Sequence, residues 1–90
     1  MRATPDVPVW AAELHAQGRH PSTLQLARWF AYDHLRDPGA RQISMHCAAL
    51  AATMIHDLVD GPELSAGLRK LLEAKDCFVR QSLVVEGVGR

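Results

Sequence analysis

The break at Asp60-Gly61-Pro62 most constrains what this chain can fold into, because a long helical pattern lies on each side of it. Upstream, Ile43, Cys47, Leu50, Met54 and Leu58 recur at spacings of four, three, four and four. Ser44, Ala48, Ala51 and Ile55 form a second stripe beside them. Apolar residues at this period mark a helix face, and two adjacent stripes mark a helix with more than one partner. Downstream, LSAGLRKLLEAKDCFVR at 64–80 places Leu64, Leu68, Leu71, Leu72, Phe78 and Val79 at helical spacing. The same segment carries charges at Arg69, Lys70, Glu73, Lys75, Asp76 and Arg80. Helices are therefore predicted near 40–59 and 62–85. With so short a connection they should form an antiparallel hairpin. Pro62 suits a first helical position, with Asp60 or Gly61 as cap and Glu63 favourable against the helix dipole.

The N-terminal part is broken more often. Pro5 and Pro8 keep the first eight residues irregular. A short helix is predicted from Val9 to Gln17, ended by Gly18 in the manner of a C-cap. HPST at 20–23 is a break with an N-cap signal at Ser22 or Thr23. A second helix is predicted from about Leu24 to Arg36, with Leu24, Ala27, Ala31 and Leu35 on one stripe, and Asp37, Pro38 and Gly39 end it. The expected fold is all-α, an antiparallel helical hairpin preceded by one or two short N-terminal helices. Residues 1–23 are expected to be an N-terminal extension, 24–86 the hairpin domain and 87–90 a tail released by Gly87 and Gly89.

A chain of 90 residues is one small domain, and such domains are marginal alone. Two helices cannot cover the wide apolar surface of 40–59 by themselves. Either the N-terminal helices fold over it or other copies of the chain do, and a homo-oligomer is expected. The formal net charge of +0 gives no global pull toward a nucleic-acid polymer or a membrane, so any anion site must be local. No run is long enough to span a bilayer, and MRATPDVPVW has no apolar core of a secretory signal. Cys47 and Cys77 lie within helical patterns without CxxC or Cys/His metal spacing. They are read as buried, reduced thiols of a cytoplasmic protein, with no disulfide between them.

Few residues offer chemistry. Arg69 with Glu73 and Asp76 with Arg80 are i,i+4 pairs, so the charged face of 64–80 reads first as a solvated, salt-bridged face. The sharper alternative is an anion site in which Lys75 and Arg80 meet phosphate oxygens and Asp76 orients one of them, since the arginine fork binds phosphate at two points. WFAYDHL concentrates Trp29, Phe30 and Tyr32 in a chain with few other aromatics. Two of them in the core and one at an interface is the plain reading. The alternative has Tyr32 stacking on a base, with His34 hydrogen-bonding nearby. His15, His20, His34, His46 and His56 are scattered, and HExxH is absent, so no metal or other cofactor is expected. Ser44, Ser65 and Ser82 lack a nucleophile elbow, and there is no glycine-rich phosphate loop. The chain is not read as an enzyme.

FAYDHLRDPGARQIS followed by DGPELSAGLRKLLEAKDCFVR resembles the helical-hairpin domain shared by phage anti-CBASS cyclic-nucleotide sponges and one class of Thoeris anti-defence sponges. The features that carry the resemblance are Phe30, Tyr32, His34, Leu35, Ser44, Gly61 and Glu63, and most strongly Leu68 to Leu72 with Glu73, Ala74, Lys75, Asp76, Cys77, Val79 and Arg80. It covers about Leu24 to Leu83. Met45 stands where that family often has a basic residue, and the segment before Leu24 is longer than the family pattern. The resemblance implies a small all-helical oligomer, typically a hexamer, acting in the cytoplasm of a bacterial host. It also implies that pockets between protomers hold cyclic di- or trinucleotide second messengers without cleaving them. Tyr32 and Arg80 match the family's ligand-pocket tyrosine and phosphate-contacting arginine. The competing reading is a structural or protein-interaction module with no nucleotide ligand.

Overall fold

The computed structural model describes residues 9–84. Helix α1 is Val9–Ala16, α2 is Pro21–Ala27, α3 is Pro38–Asp57 and α4 is Pro62–Ser82, with a 3₁₀ turn at Arg28–Phe30 after α2. There is no strand among the described residues. The fold is all-α. The predicted irregular first eight residues and the tail lie outside the described residues, whereas the last helix ends at Ser82, short of the predicted Val85.

α3 and α4 pack along their lengths as the hairpin. The two stripes of α3 have different fates. Ser44, Ala48, Ala51 and Ile55 are at most 2% exposed, and the last three share one core cluster with Leu64 and Leu68 of α4. α2 and the 3₁₀ turn close this side by adding Thr23, Ala27 and Phe30, all buried. Alanines at 48 and 51 let the backbones come close, which permits Phe30 to fill the remaining space at 0% exposure. Of the other stripe, Leu50 and Leu58 are roughly half exposed, and Ile43 and Met54 are half-buried.

The ends of α1 and α3 are tied down locally. Gly18 adopts φ +74°, a left-handed conformation that glycine takes without a Cβ clash. Its N–H donates to the His15 carbonyl at 3.1 Å and the Arg19 N–H to the Leu14 carbonyl at 3.2 Å, the paired bonds of a Schellman cap. Arg19 then reaches across to the hairpin turn. Its guanidinium donates to the carbonyls of Ile55 and Leu58, at 2.6 and 2.9 Å, which the end of α3 leaves without helical partners. It also donates to Asp60 Oδ1 from Nε at 3.0 Å, while the Thr23 hydroxyl and the His20 N–H bind the same carboxylate at 2.7 and 2.8 Å. These donors, Arg19 foremost, hold the Asp60 carboxyl well below the usual carboxylate range.

Three local expectations are corrected. The second helix does not run to Arg36. It ends at Ala27, the 3₁₀ turn follows, and Ala31 is already extended at φ −63°, ψ 145°. Asp37 and Pro38 open α3 rather than closing a helix: the Asp37 side chain caps the Ala40 N–H at 2.8 Å, and Pro38 takes a first-turn position. The cap of α2 is His20, not Ser22 or Thr23: its ring nitrogen Nδ1 accepts from the Ser22 N–H at 3.0 Å.

Candidate functional site

The extended segment after the 3₁₀ turn lies beside the C-terminal half of α4, and between them is a cavity of about 250 Å³. Ala31, His34 and Leu35 form one wall, and Lys75, Asp76, Val79 and Arg80 the other. Ser44 of α3 lines it as well and is the most buried of its residues, at 0% exposure. Three of the four residues singled out in the sequence, His34, Lys75 and Arg80, are thus brought together. The fourth, Tyr32, does not line this cavity. It is half-buried and packs against the core, and its carbonyl accepts from the Leu35 N–H at 3.1 Å in the turn that presents His34.

The cations of the site are unequal. The Lys75 side chain is 14% exposed; its ammonium donates to the Trp29 carbonyl at 3.0 Å and lies 6.0 Å from the centre of the Phe30 ring. It therefore fastens the end of the 3₁₀ turn to α4 and sits over an aromatic face, a favourable place for an ammonium. Asp76 stands 4.0 Å from that ammonium on the exposed rim. Arg80 is exposed, and its guanidinium meets the Cys77 sulfur at 3.4 Å, a weak acceptor. Neither Arg69 with Glu73 nor Asp76 with Arg80 closes as an ion pair. Arg80 lines the cavity, and among the described residues no carboxylate stands within ion-pair distance of its guanidinium.

Both cysteines are free thiols, as expected, but only Cys47 is buried; Cys77 is exposed on the outer face of α4. Burial pushes the Cys47 thiol above its ordinary value, against the opposing effect of the Lys75 charge. Ser44 is the polar residue of this cavity that the sequence reading did not assign to a site. The signal was present: it is the one hydroxyl in a stripe otherwise made of Ala48, Ala51 and Ile55.

Two further hollows lie along the hairpin. One is lined by Ile43, Cys47, Leu50, Leu71 and Phe78 among others, with a volume of about 490 Å³. The next, of about 340 Å³, is lined by Leu50, Met54, Leu58, Leu64 and Leu71 among others. They share Leu50 and Leu71, so they form one apolar groove, and every residue of the outer α3 stripe lines it. No described residue before Ile43 contributes to it.

No family model, curated protein or solved structure matches this chain. Among the described residues, no helix is long and apolar enough to cross a membrane.

Proposed function

We propose that the chain is a non-catalytic, oligomeric sponge that captures cyclic di- or trinucleotide second messengers intact and so blunts bacterial anti-phage signalling of the CBASS or Thoeris type. The observation that carries this reading is the convergence of His34, Lys75 and Arg80 on one cavity in a chain of zero formal net charge. Donors gathered that closely suit phosphate, and the free fork of Arg80 suits it best. The cavity of about 250 Å³ is below the usual range of small-molecule pockets, roughly 300–1,000 Å³. A cyclic dinucleotide needs more wall than one protomer offers, and a second protomer would supply it. The apolar groove along α3 and α4 gives such a copy a surface to bind.

Calorimetric titration with a panel of cyclic di- and trinucleotides, followed by chromatographic recovery of the ligand, tests the proposal. Saturable binding with the ligand recovered whole is the expected result. Linearised or cleaved product would make the protein a hydrolase. Absence of binding across the panel would favour the second reading, a structural or protein-interaction module. One observation favours that reading: the Lys75 ammonium is already engaged by the Trp29 carbonyl, so part of the positive charge serves the fold.

A further inference from the structure

A helical serine ordinarily returns its hydroxyl to the carbonyl one turn back. Thr53 does this within the same helix, donating to the Ala49 carbonyl at 3.0 Å. Ser44 does not: its Oγ is buried without any hydrogen-bond partner, and it is the one such side-chain atom among the described residues. An orphaned buried hydroxyl destabilises a fold, and alanine, which already fills positions 48 and 51 of the same stripe, would avoid that penalty. The hydroxyl instead lies at the deepest residue of the cavity that holds His34 and Arg80.

We infer that the Ser44 hydroxyl is a ligand-binding group, donating to a phosphoryl oxygen of the anion held between Arg80 and His34. This rests on the sponge reading only for the identity of the larger ligand, since any phosphate-bearing ligand of this cavity would use the same donor. Lys75 is held by the Trp29 carbonyl with Asp76 4.0 Å away to offset its charge, so Arg80 supplies the net positive charge and Ser44 the neutral donor. A phosphodiester offers two unesterified oxygens, one for each.

Wild type and Ser44→Ala are titrated with pyrophosphate, with cyclic di-AMP and with a cyclic triadenylate, beside thermal denaturation without ligand. The expected result is about tenfold weaker binding by Ser44→Ala of every ligand that wild type binds, the effect of one lost hydrogen bond to a charged group. The unliganded melting temperature should be unchanged or higher, because the variant removes an orphan. Equal cyclic-nucleotide binding by the two proteins would keep the sponge reading and overturn the role of Ser44. Pyrophosphate binding alone, weakened in the variant, would uphold Ser44 and remove the sponge. A wild type that binds none of the three overturns both. A lower unliganded melting temperature in Ser44→Ala would also overturn the inference, since the hydroxyl would then serve the fold.

Discussion

Of the two stripes of α3, the one made of small residues is sealed, while the one made of larger, more apolar residues is open except at Cys47. Ser44, Ala48, Ala51 and Ile55 vanish beneath α2, the 3₁₀ turn and α4, whereas Leu50 and Leu58 of the outer stripe remain 48% and 47% exposed. Side-chain size explains the choice. The small residues of the inner stripe permit close approach by a short helix and by Phe30, and the large residues of the outer stripe hold neighbours away and leave a groove. The N-terminal segment has one apolar surface of its own, and the hairpin has two. No described residue seals the second, and a second copy of the chain is the occupant we propose. The difference teaches that completeness of a core cannot be judged from apolar content alone, because the same helix can serve the fold on one side and assembly on the other.

The largest test of that contrast is Phe30→Ala. Emptying the closed side of a fully buried ring should cost about 3–5 kcal/mol, a large share of the stability of so small a domain. Circular dichroism melting should show loss of a cooperative transition, and a melting curve close to wild type would mean the N-terminal segment does not complete the core. Next is Arg19→Ala, which leaves the carbonyls of Ile55 and Leu58 without their donor and should cost about 2 kcal/mol. For a domain of this size that is a fall in melting temperature on the order of 10 °C. Indifference to this change would break the link between the N-terminal segment and the hairpin turn.

A smaller effect follows from Asp60. Its carboxyl holds its proton less tightly in the folded chain than in the unfolded one, because Arg19, Thr23 and the His20 amide stabilise the ionised form. Its stabilisation is therefore fully present above the ordinary carboxylate value, about 4, and is lost as pH falls below it. Melting temperatures taken from pH 7 to pH 3 should fall more steeply for wild type than for Asp60→Asn, and parallel curves would contradict the latch. The smallest change in monomer stability is expected from Phe78→Ser on the open side, within about 0.5 kcal/mol, because that ring is 56% exposed. If the chain assembles as proposed, the same substitution should nevertheless shift it toward monomer in light scattering. Retained assembly would place the interface elsewhere.

The hairpin was legible because its signals are local: two stripes of 3.6-residue period and a break of three residues between them. The start of α4 at Pro62 and the end of α1 at Gly18 were legible for the same reason. The segment from Trp29 to Arg36 was misread as helix because the pattern of Leu24, Ala27, Ala31 and Leu35 fits a helix as well as it fits a turn. What ends the helix there includes a bond from Lys75 to the Trp29 carbonyl, and a partner 46 residues away leaves no mark in local spacing. Asp37-Pro38 could have been read as the opening of α3, since a capping carboxylate before proline is a start signal. The latch of Arg19 on Asp60 is likewise a long-range fact, joining residues 41 apart. In the candidate site, Lys75 and Arg80 were visible as a cationic pair five residues apart on one helix. Their different duties were not, because which cation is free depends on where the loop comes to rest.

Native mass spectrometry of the chain mixed with a panel of cyclic di- and trinucleotides tests the central claim most directly, since it reads assembly and ligand in one spectrum. The account predicts multimers of the 9.9 kDa chain carrying whole ligand masses, with the ligand released uncleaved on activation. A monomer without adduct, across the panel and at micromolar protein, would contradict it.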